Sequence, residues 1–196
     1  MFNLVRCFNY GLCRNVRFKQ KMKKIFLFAP LLIVILITII LLYFLLENKD
    51  PTKPPSALLN KNLPEFVMVN LFNENKILTN VDFDDKQIII NFFSSWCAPC
   101  KIEHALLLRL KNNYPELIII GVNHKDIKLN AIKFLEDNGD PYHYVGIDKD
   151  GKIGLEFGVF GLPETFITNN KGKIIFKHLG PLTDKVLKNE IYDLLQ

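Results

Sequence analysis

Two cysteines with two residues between them, in Trp96-Cys97-Ala98-Pro99-Cys100, stand directly after the apolar run Ile88-Ile89-Ile90-Asn91-Phe92-Phe93. Such a pair can close and reopen a small disulfide. Where a strand hands over to a helix, the first sulfur sits at the helix N-terminus. Unpaired backbone N–H groups and the positive end of the helix dipole favour a thiolate there. The chemistry is thiol–disulfide exchange. Cys97 is the candidate nucleophile, a role that calls for exposure and a lowered pKa. Cys100, one turn into the helix and more buried, is placed to resolve a mixed disulfide by attacking Cys97. Half of a zinc site is the competing reading of a Cys-x-x-Cys. It needs two further ligands, and the nearest histidines, His104 and His124, do not form a second pair at zinc-site spacing. No metal and no cofactor is expected beyond the Cys97–Cys100 pair itself.

The elements that must position this pair follow from periodicity. Residues 88–93 read as a buried strand by their β-branched and aromatic content. Residues 98–112 follow as a helix with Ile102, Ala105, Leu106, Leu108 and Leu110 at helical spacing. A second buried strand is predicted over 117–122. A helix over 125–138 turns Ile127, Ala131, Ile132, Phe134 and Leu135 toward the core and ends at Gly139. A third strand covers 144–147, and 151–157 form a short helix or loop. Strands over 165–168 and 174–178 are joined by the turn Asn169-Asn170-Lys171-Gly172, and a last helix spans 182–195. Upstream, 65–71 alternate enough for a strand, Asn73-Glu74-Asn75 turn, and 76–85 form a hairpin or loop. The order is β-α-β-α-β, then β-β-α, which implies a parallel core sheet with an antiparallel hairpin added. With a Cys-x-x-Cys opening the first helix, this is the thioredoxin fold: α/β, a central mixed sheet flanked by helices.

Charge and hydropathy organise the rest. Residues 1–24 hold Arg6, Arg14, Arg17, Lys19, Lys21, Lys23 and Lys24 and no acid, against +5 for the whole chain, so the remainder is −2. The isoelectric point of 8.9 belongs to this leader, and a nucleic-acid partner is excluded on that count. Residues 25–46 are an uninterrupted apolar run without a charge. At about 1.5 Å per residue such a run spans a bilayer core of roughly 30 Å. Basic residues in front and Glu47-Asn48-Lys49-Asp50 behind predict a cytoplasmic N-terminus and an external domain. A cleaved signal peptide is the rival, but its apolar region is normally shorter and no small-x-small cleavage site follows. The expected organisation is a basic cytoplasmic leader over 1–24, one N-terminal transmembrane helix over 25–46, a linker over 47–62 containing Pro51, Pro54 and Pro55, and a thioredoxin-like domain over 63–196. Met22-Lys23-Lys24 reads as an alternative start that would leave 1–21 untranslated. Cys7 and Cys13 fall on the cytoplasmic side of the anchor, cannot meet Cys97 and Cys100, and receive no function.

From Ile88 onward the chain resembles the DsbE/CcmG family, membrane-tethered thioredoxin-like proteins of cytochrome c maturation. Four blocks carry the resemblance. Trp96-Cys97-Ala98-Pro99-Cys100-Lys101-Ile102-Glu103-His104 is similar to that family's W-C-x-x-C-[RK]-x-E-H, and Gly121-Val122-Asn123-His124-Lys125-Asp126 to its G-x-N-[YH]-K-D. Asn138-Gly139-Asp140-Pro141-Tyr142 is similar to its G-[ND]-P-Y, and residues 158–166, with Gly161-Leu162-Pro163-Glu164-Thr165-Phe166, to its G-V-x-G-x-P-E-T-F. One departure is Thr168-Asn169-Asn170, where the family commonly has an Asp-x-x-Gly-type turn; Lys171-Gly172 restores it.

The resemblance implies roles for further residues. Pro163 would be cis and pack against the disulfide, leaving the backbone of Leu162 to pair with an extended substrate strand; an ordinary loop proline is the alternative. Glu103 would lie beneath the cysteines with a raised pKa and take the proton of Cys100, as against a solvated helix charge. Glu164 would shape an acidic recognition groove. Trp96 would shield the sulfurs and present an aromatic surface to partners, or be a core aromatic. His104 and His124 fit structural and functional roles equally. The implied protein sits in the bacterial inner membrane by a single pass, with its domain in the periplasm. It would reduce the cysteines of apocytochrome c or of a haem-ligation protein, and be re-reduced by a transmembrane electron donor of the DsbD/CcdA type. A general disulfide donor is the alternative enzyme; donors typically carry a His between their cysteines, where this chain has Ala98-Pro99. A non-catalytic thioredoxin-like binding module is the alternative of another class, disfavoured by the intact Cys97 and Cys100.

Overall fold

The computed structural model describes residues 29–44, 46 and 58–195. The basic leader with Cys7 and Cys13, residues 25–28 and 45 of the expected anchor, and residues 47–57 of the expected linker lie outside them. The chain divides into two units, Met1–Asp50 and Pro51–Gln196. In the first, residues 29–44 form helix α1 with its large aliphatic side chains exposed. Among the described residues no helix is long and apolar enough to cross a membrane.

The second unit is built on a seven-stranded sheet in the order β2-β1-β5-β4-β3-β6-β7. The strands are β1 (Val67–Asn70), β2 (Ile77–Thr79), β3 (Ile88–Phe93), β4 (Ile118–His124), β5 (Tyr144–Asp148), β6 (Glu164–Thr168) and β7 (Ile174–Leu179). Helix α2 (Ala98–Asn113) joins β3 to β4 and α3 (Lys128–Asn138) joins β4 to β5, so β3, β4 and β5 run parallel. The short α4 (Lys152–Glu156) leads to β6, which is antiparallel to β3, and β7 folds back on β6. The last helical segment opens as α5 (Asp184–Val186), widens to a π-helix over Leu187–Ile191 and tightens to a 3-10 turn over Tyr192–Leu194.

All six residues of β3 are buried, because both faces of the sheet are covered. Ile89 and Phe93 join the cluster formed with Leu107 and Leu110 of α2, Phe134 and Leu135 of α3, and Leu187 and Ile191. Ile88, Ile90 and Phe92 point the other way, into Phe66, Phe83, Phe157 and Phe166. A strand buried on both faces needs a continuous apolar run, and its single polar residue, Asn91, must find partners inside the protein.

The end of the expected linker is bonded into this unit. Asn60 N–H donates to the Ile174 carbonyl, Ile174 N–H to that of Lys61, and Leu63 N–H to that of Gly172. These bonds lie at the turn of the β6–β7 hairpin, beside the start of β3, whereas Cys97 follows its end. Two details differ from the periodicity reading. Helix α3 begins at Lys128 rather than Lys125, because Lys125 takes a φ of +49° and Asp126 spends its side chain on the neighbouring loop. Ile127 and Ile102, expected to face the core, are 64% and 71% exposed.

Candidate active site

Four residues carry the chain from the end of β3 to the first residue of α2, and three of them are bonded to the loop that follows β4. The Ser94 hydroxyl donates to the His124 carbonyl. Ser95 donates its N–H at 2.6 Å and its hydroxyl at 2.8 Å to the two carboxylate oxygens of Asp126. The Trp96 indole N–H donates to the Lys125 carbonyl at 3.1 Å. Asp126 also accepts from the Asn123 side-chain amide and the Ile127 N–H. His124 Nδ1 lies 2.6 Å from Asp148 Oδ2, and Asp148 accepts the N–H groups of Ile153 and Gly154 at the start of α4. Burial alone would raise the Asp148 pKa; the bonds from His124, Gly154 and Ile153 outweigh it and hold the carboxyl below its ordinary range. The loop bearing the cysteines is thus tied through the ends of β4 and β5 to α4.

Cys97 caps α2. Its extended backbone precedes the helix, its sulfur accepts the Cys100 N–H at 3.2 Å, and Pro99 stands in the first turn where no N–H is needed. Cys97 and Cys100 form a disulfide, with Cα atoms 5.3 Å apart. The expected difference in burial is absent: Cys97 is 3% and Cys100 2% exposed. The disulfide draws both sulfurs into the cluster of Phe93, Leu107 and Ile167, against which Leu162 also packs. Trp96, by contrast, is 63% exposed, and its indole is bonded toward Lys125. It is a surface aromatic next to the sulfurs, which removes the core reading.

Glu103 is fully buried on the face of α2 that also carries Cys100, His104, Leu107 and Leu110; the solvated-charge reading fails. Oε1 accepts the Asn91 side-chain amide at 2.8 Å and Oε2 the Leu182 N–H at 2.8 Å. Burial pushes its pKa up to about 7, partly offset by the bonds from Leu182 and Asn91. Asn91 donates its second amide hydrogen to Thr165 Oγ1 at 3.1 Å and accepts the Tyr142 hydroxyl at 2.7 Å. Tyr142 is held well above the ordinary tyrosine range by burial and then by the charges of Glu103 and Asp140. Its ring stacks on Phe93 at 4.9 Å.

The Leu162–Pro163 peptide is cis. Pro163 is buried, its carbonyl accepts the Gly180 N–H, and Leu162 touches both core clusters. Glu164 does not line an acidic groove, which corrects the expectation for it. It is fully buried, its Oε1 lies 2.7 Å from the Lys177 ammonium, and its Oε2 accepts the Phe160 N–H at 2.9 Å. A carboxylate with no access to water needs a cation, and Lys177 supplies it. Lys177 also donates to the Gly158 carbonyl and lies 5.0 Å from the centre of the exposed Phe160 ring. Glu164 therefore acts on the surface only by fixing the loop before Pro163. His104 packs inside: Nε2 lies 2.6 Å from the Gly139 carbonyl and the ring meets Phe134 edge to face. Among the described residues no group of three or more His, Cys, Asp or Glu is placed to hold a metal ion.

Sequence reasoning gave no role to Asn91, Tyr142, Asp126 or Lys177, although Asp126 and Tyr142 stand in the blocks that carry the family resemblance. Asn91 carried a signal, as the one amide in an otherwise apolar buried strand. Lys177 carried none, because in the alternating β7 it resembles an outward-facing polar residue.

The redoxin family profile matches residues 58–195. The thiol:disulfide interchange protein HelX of Rhodobacter capsulatus is 40% identical over 154 residues, covering 78% of this chain and 86% of its own length. The thiol:disulfide interchange protein DsbE of Escherichia coli is 36% identical over 177 residues, covering 88% of this chain and 95% of its own. The chain belongs to the DsbE family of thiol:disulfide interchange proteins. The thioredoxin domain of a thiol-disulfide oxidoreductase from Bacteroides vulgatus superposes on this DsbE-family chain with a TM-score of 0.62 at 20% identity, covering 72% of this chain and 100% of that one. That likeness bears on the fold alone, which is the thioredoxin fold. Membership of the DsbE family together with the Cys97–Cys100 disulfide makes the chain a protein thiol:disulfide oxidoreductase.

Proposed function

We propose that the chain is a membrane-tethered reductant, held by residues 25–46 in the bacterial inner membrane with its thioredoxin-like domain in the periplasm. Its substrates are the haem-attachment cysteines of apocytochrome c, or of a haem-ligation protein, which must be free thiols before haem can be attached. A transmembrane electron donor of the DsbD/CcdA type returns Cys97 and Cys100 to the dithiol.

One observation supports this direction of electron flow most directly: a buried carboxyl, Glu103, stands one turn after Cys100 on the same face of α2. A reductant must turn its second thiol into a nucleophile while the partner is still attached. In the reaction the Cys97 thiolate, favoured at the N-terminus of α2, attacks one sulfur of the partner's disulfide. That bond breaks and the partner's other sulfur leaves as a thiolate. Cys100 gives its proton to the Glu103 carboxylate, and the resulting thiolate attacks Cys97. The mixed disulfide breaks, the second partner sulfur leaves, and two electrons have passed to the partner. Leu162, next to the cis peptide, offers backbone to an extended partner segment. Trp96 and the loop fixed by Glu164 form the walls that the partner meets.

The test is the reduction potential of the full chain in detergent, equilibrated against glutathione or dithiothreitol buffers. A value near about −270 mV, or short of it by a few tens of mV, supports the reductant. A value near about −120 mV would make the pair a disulfide donor and overturn the proposal.

A further inference from the structure

The hydrogen bonds around Glu103 fit only one of its protonation states. Both oxygens face N–H donors, from Asn91 on one side and the Leu182 backbone on the other, so in this arrangement a carboxyl hydrogen would have no acceptor. The Leu182 N–H belongs to the main chain and cannot reverse. The Asn91 carboxamide can, because rotation by half a turn exchanges its oxygen and its NH2. Its other partners are the hydroxyls of Tyr142 and Thr165, and a hydroxyl donates or accepts as required. In the reversed arrangement the Glu103 O–H and the Thr165 hydroxyl both donate to Asn91 Oδ1, and Asn91 Nδ2 donates to the Tyr142 oxygen. The carboxyl hydrogen gains an acceptor there, but the Tyr142 hydroxyl hydrogen and one Asn91 amide hydrogen lose theirs, so the Tyr142 bond sets the cost of the reversal.

We propose that Asn91 and Tyr142 are positioning residues that set the proton affinity of Glu103: the Tyr142 hydroxyl holds the Asn91 carboxamide with its NH2 toward the carboxylate, and proton uptake by Glu103 works against that orientation. The titratable groups around the carboxyl are Tyr142, from the segment before β5, and Cys100, one turn back on α2; β3 and β6 contribute the neutral Asn91 and Thr165, and the segment before α5 a backbone N–H. Tyr142 stays protonated throughout, so its hydroxyl favours the arrangement that presents amide hydrogens to the carboxylate. The inference rests on the reading of Glu103 as proton acceptor for Cys100, and the two fail separately.

The test uses NMR on the full chain in detergent micelles, isotope-labelled at asparagine side-chain amides and glutamate carboxyls, with the disulfide closed. The Asn91 amide resonances are expected to move with pH along the same titration curve as the Glu103 carboxyl. In Tyr142→Phe the midpoint rises by about one pH unit, because the carboxylate-facing arrangement loses its supporting donor. The coupled shift of the Asn91 amides is read on the wild type and serves if Tyr142→Phe does not fold. Asn91 resonances that ignore the Glu103 titration, or an unchanged midpoint in folded Tyr142→Phe, overturn the inference. If the coupled titration is seen while the rate of mixed-disulfide resolution shows no dependence on it, the network stands and the proton-acceptor role of Glu103 falls.

Discussion

Replacing Glu103 by Gln separates the cost of burying this carboxyl from every other pH-dependent term in the protein. In the folded chain the group titrates near about 7, against an ordinary value of 4.5, because burial outweighs the bonds from Leu182 and Asn91. The native state therefore holds the proton more tightly than the unfolded chain. Below the unfolded value both states are protonated and no difference arises. As pH rises toward 7 only the unfolded chain releases its proton, so stability falls, and above 7 the loss is complete. At about 1.36 kcal/mol per unit, the gap amounts to about 3 kcal/mol. Glu103→Gln cannot titrate. Its amide carbonyl can accept from Leu182 and its NH2 can donate to a reversed Asn91, at a cost borne by the Tyr142 hydroxyl that is the same at every pH. The assay is urea denaturation of the oxidised protein, followed by circular dichroism, at about pH 4.5 and about pH 8. The variant should gain about 3 kcal/mol on the wild type between the two conditions, whatever its absolute stability. Parallel pH dependence in the two proteins would refute the placement of a high-pKa carboxyl at this position.

Other perturbations probe the rest of the site. Cys100→Ser leaves Cys97 able to attack but removes the resolving sulfur, so a stable mixed disulfide with a Cys-x-x-Cys-His peptide should accumulate on non-reducing gels and turnover should vanish. Lys177→Met strands a buried carboxylate, Glu164, and should cost on the order of 3–5 kcal/mol in thermal unfolding; adding Glu164→Gln should recover most of it. Gly121→Ala would place a Cβ 2.7 Å from the Tyr142 ring and should cost roughly 1–3 kcal/mol in the same measurement. Asp148 is held below its ordinary pKa, so its stabilisation is present above about pH 3.8 and lost as pH falls below it. Asp148→Asn should flatten that acid limb in a stability–pH series.

The parts of the fold that can be read directly are those in which local pattern and burial agree. The apolar run of β3 and the cysteine pair behind it place a strand and a helix start, and the alternation of later strands and helices gives the parallel core. Helix α2 shows where the pattern misleads. Its buried face carries Cys100, Glu103 and His104 ahead of Leu107 and Leu110 while Ile102 lies outside, so hydrophobic spacing misplaces the first turns of the helix. Polar groups occupy the inner face because Asn91, the Leu182 N–H and the Gly139 carbonyl satisfy them. Those partners are distant in sequence, and no local rule reveals them. Glu164 failed for the same reason: only the folded hairpin brings Lys177 to it. Cys97, expected at the surface, is as buried as Cys100 in the closed disulfide.

The bonds between residues 60–63 and the β6–β7 turn have a mechanical consequence. They fix the point of entry of the chain at one pole of the sheet, and the disulfide follows the far end of β3. Six residues of strand at about 3.3 Å each separate the two poles by roughly 20 Å. The sulfurs therefore stand at the pole of the sheet opposite to the one where residues 60–63 enter the domain.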